Sequence, residues 1–216
     1  MRWVASRLPF GRVLDLGAGT GKLTRQIVAS GAAVVAVEPG DEMRRMLERV
    51  VPEAESLAGS AEAIPLPDAS VDAVVVAQAF HWFRTSEALQ EMHRVIRPGG
   101  GYALFWNERD EAVPLMRALD ELVEGLRPDL QAGESRPDWW PELEASPLFG
   151  DLEERTFAHR ERLARDTVVE RVRSVSAFIA ATADEQARVE SAVRALLSDA
   201  EIDFALITTV IVADRV

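Results

Sequence analysis

The chain contains 216 residues, enough for one domain with a full-sized core, and 48% of them are hydrophobic, as in ordinary globular proteins. Its formal net charge is −12 and it has no cysteine, which argues against nucleic acid as a partner and excludes disulfide bonds, cysteine metal sites and a thiol nucleophile. No apolar segment approaches the roughly 20 residues of a membrane span, and the first nine residues are too short and broken for a secretory signal, so we expect a cytoplasmic protein.

Apolar runs alternate with helical periods along the first half of the chain, a pattern that predicts parallel strands joined by crossover helices. The predicted strands are residues 11–16, 33–37, 54–58, 71–77 and 100–106, and the predicted helices are residues 20–30, 41–50 and 85–97. The 41–50 helix carries one apolar stripe, which we expect to pack against the core. The members of the stripe are Met43, Met46, Leu47 and Val50.

The second half of the chain departs from this alternation. Residues 127–150 contain four prolines and two adjacent tryptophans, which indicates a loop-rich insertion. Further helices are predicted at 115–126, 166–181 and 184–199. Apolar residues alternate from Ile202 onwards as in a strand, and because no helix follows we expect an antiparallel hairpin with residues 152–160.

The most informative segment is residues 13–24, VLDLGAGTGKLT, in which an apolar strand runs into a turn with Gly17, Gly19 and Gly21 at alternate positions. A helix follows at once, and the free N–H groups at its start attract polar or anionic ligand groups. Glycine lets a ligand lie against the backbone. Glu38 ends the next apolar run, where a carboxylate can accept hydrogen bonds from a ribose diol. The segment predicts a nucleoside cofactor.

The glycine spacing distinguishes between nucleoside cofactors. The dinucleotide fingerprint G-x-G-x-x-G requires a third glycine where this chain has Lys22. The phosphate-binding loop G-x-x-x-x-G-K-[ST] also fails, because Leu23 follows the lysine. Neither NAD nor ATP is therefore the expected ligand.

The segment resembles the first motif of class I S-adenosylmethionine-dependent methyltransferases. The resemblance continues, in the family's order, through VVAVEPGDEM (34–43), GSAEAIPLPDASVDAVVVAQAFHWF (59–83) and RVIRPGGGYALFWN (94–107). It implies an α/β, Rossmann-like fold with a seven-stranded, mostly parallel sheet in the order 3-2-1-4-5-7-6, an antiparallel last strand and helices on both faces. It also implies S-adenosyl-L-methionine as the cofactor, with no metal ion.

The resemblance assigns roles to the residues of the first two blocks. Gly17 and Gly19 are expected beside the methionine part of the cofactor, and Glu38 is expected to hold the ribose. We expect replacement of Glu38 to leave folding nearly unaffected, because the residue lies in a loop at the rim of the site. Met43 is expected either to cover one face of the adenine or to belong to the core, and Asp15 to anchor the amides of the turn.

The third block is implied to meet the edge of the adenine through backbone amides, which makes Ser60, Ala61 and Glu62 candidate cofactor residues. Many relatives have aspartate where this chain has Ser60. The resemblance therefore implies three alternatives for the group that binds the adenine amino group: Ser60, Glu62 or water. Gln78, which follows the fourth strand, is a further candidate cofactor residue.

The segment AQAFHWF lies where the methyl acceptor is expected to approach. It lacks the Asn/Asp-Pro-Pro-aromatic tetrad of many nucleobase and amide methyltransferases, and resembles a small-molecule branch that includes trans-aconitate-type enzymes. His81 is a candidate catalytic residue with three possible roles: a general base, a group that orients a substrate carboxylate, and a structural residue. Trp106 either lines the acceptor pocket or belongs to the core. Trp139 and Trp140 form either a lid or a satellite hydrophobic cluster.

These observations predict one methyltransferase domain over residues 1–216, with a loop-rich insertion or lid at about 127–150. The expected reaction is in-line methyl transfer to a carboxylate, hydroxyl or amine of a small molecule. The alternatives are a cofactor-binding protein without catalysis and a methyltransferase for protein or nucleic acid. The expected partner is the small-molecule substrate, with no nucleic acid and no membrane, and a homodimer is possible.

Overall fold

The computed structural model describes residues 1–126 and 138–216. The strands are β1 (Arg12–Leu16), β2 (Ala33–Val37), β3 (Glu55–Leu57), β4 (Val71–Ala77), β5 (Ile96–Arg109), β6 (Glu153–Ala164) and β7 (Glu201–Asp214). The helices are α1 (Arg2–Arg7), α2 (Lys22–Ala29), α3 (Asp41–Val50), α4 (Thr85–Val95), α5 (Pro114–Glu124), α6 (Trp140–Ala145), α7 (Arg165–Arg173), α8 (Ser176–Ala180) and α9 (Ala183–Leu196). A single 3₁₀ turn, Phe80–Trp82, follows β4 in the described residues.

The described strands form a seven-stranded sheet in the order β3-β2-β1-β4-β5-β7-β6, with β7 antiparallel, which confirms the predicted topology. β1 pairs in parallel with both β2 and β4. The register aligns Leu16 with Val37, so the loops after β1 and β2 begin side by side. Ligands bind at such carboxyl ends in open parallel sheets.

The chain has two compact units. The first contains residues 1–106, 138–155 and 209–216 among those described. Its core is built on β1, β2 and β4, whose apolar runs are buried on both faces, as is usual for parallel strands. The second contains residues 107–126 and 156–208, and its core includes Met116, Val168, Val193 and Phe204. No helix in the described ranges combines the length and apolar character that a membrane crossing requires.

The apolar stripe on α3 is not buried as predicted. Leu47 is fully buried, but Met43, Met46 and Val50 are 52%, 41% and 44% exposed. The reason lies in the neighbour of the helix, because α3 packs beside β3, an edge strand of only three residues. So short a strand offers a surface that accommodates the central residue of the stripe and leaves the others in solvent.

Other boundaries differ locally from the predicted ones. The predicted 166–181 helix is two helices, α7 and α8, and α1 was not predicted. β5 begins before the Pro98–Gly101 segment that was predicted to separate helix from strand, and a register shift opposite Val71 and Ala73 accommodates it. A Cβ on Gly100 or Gly101 would collide with a backbone carbonyl oxygen of a neighbouring strand, so these glycines permit close strand packing.

The predicted insertion at 127–150 falls partly outside the described residues, because 127–137 are not among them. In its remainder, α6 occupies Trp140–Ala145. Proline at the second position of this helix suits the first turn, where no intrahelical donor is needed.

Candidate functional site

The glycine turn after β1 is held in the left-handed region, with φ of 70°, 56° and 83° at Gly17, Gly19 and Gly21. A Cβ on Gly17 would lie 2.8 Å from the Cβ of Ala79, so the turn packs tightly against the loop that follows β4. A Cβ on Gly19 would meet nothing within 4 Å. The turn is therefore closed toward β4 at Gly17 and open at Gly19, where a ligand can approach the backbone.

Glu38 holds two loops together. Its carboxylate accepts a hydrogen bond from the Gly19 amide through Oε2 and from the Gly40 amide through Oε1, each at 2.8 Å. The residue is only 7% exposed. The expectation that Glu38 supports no part of the fold is therefore wrong, because its removal leaves two backbone donors without their acceptor. A carboxylate offers about four acceptor sites, so two remain for a ribose diol.

Asp15 is a buried carboxylate within β1. It accepts a 2.6 Å hydrogen bond from the Thr24 hydroxyl and a further one from the Thr24 amide. Asp15 therefore anchors the first turn of α2. The sequence predicted that it would anchor the amides of the glycine turn, which immediately precedes that helix. Burial raises the pKa of Asp15 to about 6, while the bonds from Thr24 oppose that rise and nearby Glu38 adds to it.

An open pocket lies beside the glycine turn, at the carboxyl ends of β1 and β2. Leu16 and Val37 form apolar walls, and the sequence candidates Gly17, Ser60, Ala61 and Glu62 line it as well. Trp82, which the sequence did not single out, is a further lining residue and is 72% exposed. The sequence signal for Trp82 was its place in the loop that follows β4, at the edge of the sheet where ligands bind.

Four predicted cofactor residues lie outside this lining, namely Gly19, Glu38, Met43 and Gln78. Met43 contacts the region of Gly40 and is mostly solvent-exposed, so it belongs neither to the core nor to the described pocket wall. Gln78 follows β4 with a left-handed φ of 55°, and its amide donates to the carbonyl of Phe105. Such a conformation is strained for a residue other than glycine, and strain of this kind is concentrated at functional sites.

Ser60 and Glu62 interact with one another at the pocket. The Glu62 carboxylate accepts hydrogen bonds from the Arg84 amide at 3.0 Å, from its own amide and from the Ser60 hydroxyl. Partial burial alone would raise the pKa of Glu62, but these bonds outweigh it and lower the pKa. Glu62 is therefore ionised at neutral pH and already occupied by protein donors.

His81 lies in the 3₁₀ turn after β4 with its ring centroid 4.8 Å from that of Trp82. Partial burial lowers the pKa of His81 below its ordinary value near 6.5. The imidazole is therefore neutral at pH 7. A neutral ring can accept a proton as a base or donate a hydrogen bond, but it carries no charge with which to attract a carboxylate.

The remaining tryptophans of the site region are packed together. Trp106 stacks on Trp139 at 4.8 Å, and Phe80 meets Trp139 edge-on at 5.1 Å. Trp106 and Trp139 are partly buried against the core of the first unit, and Trp140 belongs to that core. These contacts favour hydrophobic packing over a lid for Trp139 and Trp140, against the main core rather than in a separate cluster, and core packing for Trp106.

Several known proteins are similar to this chain in sequence. Residues 14–104 match the family model of a methyltransferase domain. An uncharacterised methyltransferase of Mycobacterium tuberculosis is 54% identical over 112 residues, 52% of this chain and 46% of that protein. A malonyl-[acyl-carrier protein] O-methyltransferase of Methylococcus capsulatus is 42% identical over 101 residues, 44% of this chain and 37% of that protein.

A solved structure resembles the whole chain. The structure of a candidate type II methyltransferase from Anaeromyxobacter dehalogenans matches with a TM-score of 0.74 and 28% identity, over 99% of this chain and 93% of that one. The chain spans about half the length, or less, of the curated relatives that it matches. Residues 14–104 are therefore similar in sequence to a methyltransferase domain, and the seven-stranded sheet has the Rossmann-like order of the class I methyltransferases.

Proposed function

We propose that this protein is an S-adenosyl-L-methionine-dependent methyltransferase that methylates a small molecule. The observation that carries the proposal is the Gly19–Glu38–Gly40 arrangement beside the pocket. It presents a fixed carboxylate next to a glycine with open space above it. An amino acid moiety, a diol and a planar base can be held in that order along the ends of β1, β2 and β3.

The roles of the other site residues follow from their positions. Gly17 and Gly19 would border the methionine part, Glu38 would accept the ribose hydroxyls, and Ser60, Ala61 and Glu62 would meet the adenine. Gln78 would orient the loop between cofactor and acceptor. Met43, on the solvent side of Gly40, would cover the adenine only after a change of side-chain conformer.

The reaction requires few catalytic groups from the protein, because the cofactor supplies an electrophilic sulfonium methyl group. Holding the acceptor in line with the methyl–sulfur bond can contribute about 7–11 kcal/mol. His81, neutral at pH 7, would remove a proton from a hydroxyl acceptor or donate a hydrogen bond to it. Residues 1–216 would form one methyltransferase domain that includes the segment 127–150.

The acceptor class is proposed from charge and likeness. A net charge of −12 and the absence of the Asn/Asp-Pro-Pro-aromatic tetrad favour a small molecule, as in the trans-aconitate-type branch, over nucleic acid or protein. The relative named as a malonyl-[acyl-carrier protein] O-methyltransferase supports an oxygen acceptor, such as a carboxylate, ahead of an amine. We place the protein in the cytoplasm, as a monomer or homodimer.

Binding of the cofactor tests the proposal directly. We expect titration calorimetry to show saturable binding of S-adenosylmethionine and S-adenosylhomocysteine by the purified protein, and no heat with NAD or ATP. The reason is the Gly17–Gly19–Gly21 spacing together with Glu38. A response to NAD in the absence of any response to the two sulfur nucleosides would overturn the proposal. Binding without methyl transfer to any acid, phenol or amine in a labelled-methyl screen would favour the non-catalytic alternative.

Replacing His81 with alanine is expected to lower turnover on the acceptor found in that screen at least tenfold, about 1.4 kcal/mol in the barrier. Cofactor affinity should stay within about threefold, because His81 lies outside the described lining of the cofactor pocket. If His81 is a base, activity should fall as the pH drops through its lowered pKa. Radiolabelled methyl transfer at several pH values measures this, with His93→Ala on α4 as the matched control. Full turnover in His81→Ala would assign His81 a structural role.

A further inference from the structure

The pocket residues 59–62 lie in a connection between β3 and β4 that has little regular structure of its own. Throughout residues 58–70, all of which the structure describes, the chain forms turns and an isolated bridge between Ser60 and Ala63, but no helix. Such a backbone lacks the regular hydrogen bonds of a helix, so its buried donors and acceptors need other partners. Groups outside the connection must therefore fix its position.

Arg94, in the last turn of α4, supplies several of these partners. Its guanidinium donates to the carbonyl of Ile64 at 2.9 Å and to the carbonyl of Leu66 at 2.8 Å. It also donates to the Asp68 carboxylate at 2.8 Å, and twice to the Glu91 carboxylate at 2.7 Å. Arginine has five N–H donors, and these bonds use all of them.

Glu91 lies one turn earlier on α4 and completes the arrangement. Its carboxylate pairs with Arg94 through both oxygens and also accepts the Ile64 amide at 2.8 Å. The hydrogen bonds from Arg94 lower the pKa of Glu91, so the pair is ionised at neutral pH. Both backbone polar groups of Ile64, a residue that is 4% exposed, are therefore bonded to these two side chains. We call Glu91 and Arg94 the α4 clamp.

The beginning of α4 holds the same connection. The amide of Arg84, the N-cap residue of α4, donates to the Glu62 carboxylate at 3.0 Å. Trp82 and Phe83, directly before Arg84, line the pocket as well. One helix thus links the pocket residues that follow β3 to those that follow β4.

We propose that Glu91 and Arg94 are positioning residues, which hold pocket residues 59–62 in the binding geometry by fixing the chain just beyond them. Neither side chain is among the described residues that line the pocket, so the clamp acts on the connection and not on the ligand. Binding groups need such support, because small displacements from the productive geometry weaken a site. The inference rests on the proposed function, because it takes the nucleoside of the cofactor as the ligand.

Arg94→Lys tests the clamp with its charge retained. An ammonium group has three donors on a flexible stem and cannot reproduce the planar arrangement of the guanidinium. We expect titration calorimetry to show binding of S-adenosylhomocysteine weakened by about fivefold or more, because buried carbonyls of the connection lose their donors. Amide hydrogen exchange, followed by mass spectrometry, should become faster in residues 59–68 and stay unchanged in β1.

Glu91→Gln tests the other half of the clamp. Glutamine keeps one acceptor oxygen but turns an NH₂ group toward either Arg94 or the Ile64 amide. Smaller changes in the same direction are expected, in both the affinity for S-adenosylhomocysteine and the exchange of residues 59–68. This variant also tests the inference if Arg94→Lys does not fold.

Arg97→Lys is the matched control. Arg97, on β5, donates to the carbonyls of Ala69 and Ser70 at 3.2 and 3.0 Å and pairs with the Asp72 carboxylate. These partners lie at the start of β4, away from the pocket residues. Denaturant titrations should show a loss of stability comparable to that of Arg94→Lys, while the affinity for S-adenosylhomocysteine stays close to the wild-type value.

The outcomes separate the inference from the proposed function. Wild-type affinity in folded Arg94→Lys, with or without faster exchange, would overturn the inference and leave the function standing. An equal loss of affinity in Arg97→Lys would also overturn it, because the effect would then follow general stability. Loss in Arg94→Lys without any change in Glu91→Gln would overturn the role of Glu91. Failure of the wild type to bind S-adenosylhomocysteine would overturn the proposed function and the positioning role together.

Discussion

Replacing Glu38 with alanine is expected to weaken binding of S-adenosylhomocysteine by about 1.5–3 kcal/mol, the scale for hydrogen bonds to a charged acceptor. The carboxylate is buried and fixed by the amides of Gly19 and Gly40, so it is preorganised for a diol. The same substitution orphans both amides. We therefore expect the free energy of unfolding to fall as well, by about 1–3 kcal/mol. Calorimetry and denaturant unfolding measure the two effects.

Two further variants separate these contributions. Glu38→Gln keeps one acceptor oxygen but places an amide NH₂ against one of the two backbone donors, so intermediate losses of affinity and stability are expected. Glu42→Ala removes an exposed acid from the first turn of α3 and should change neither quantity appreciably. An unchanged dissociation constant in folded Glu38→Ala would show that another group holds the ribose.

Much of the fold could be predicted because its determinants are local. The central parallel strands β1, β2 and β4 are short apolar runs. The turn after β1 requires left-handed backbone at alternate positions, which glycine satisfies. The order of the strands came from the resemblance of whole blocks to a family. Neither depends on knowing which side chains meet across the fold.

The rest depends on contacts between distant residues. The Glu38 carboxylate accepts a hydrogen bond from the Gly19 amide, 19 residues earlier in the chain. No sequence pattern near Glu38 predicts this bond. The exposure of Met43 follows from the shortness of β3, a property of the neighbouring strand. The hydrogen bond between Ser60 and Glu62 is local in sequence. The Arg84 amide that binds the same carboxylate lies 22 residues further along the chain, and no local pattern predicts it.

The contribution of Asp15 to the free energy of unfolding is expected to fall as the pH rises from about 4 to about 6. Burial raises the pKa of Asp15 from 3.8 to about 6. Below pH 4 the carboxyl is protonated in both the folded and the unfolded chain and brings no penalty. Between the two pKa values the folded state binds the additional proton, so rising pH favours unfolding. Above pH 6 the whole penalty is present, roughly 3 kcal/mol for about two pKa units.

Asp15→Asn isolates this contribution from that of the other carboxylates. Asparagine keeps an oxygen that can accept the Thr24 hydroxyl, but it does not titrate. The free energy of unfolding of the wild type minus that of Asp15→Asn should therefore become more negative by roughly 3 kcal/mol between pH 4 and pH 7. Denaturant titrations of both proteins at several pH values measure it. Thr24→Val, which removes a bond that opposes the rise, should raise the pKa of Asp15 further and move the transition to higher pH. A difference between wild type and Asp15→Asn that stays constant with pH would show that Asp15 has the same pKa folded and unfolded.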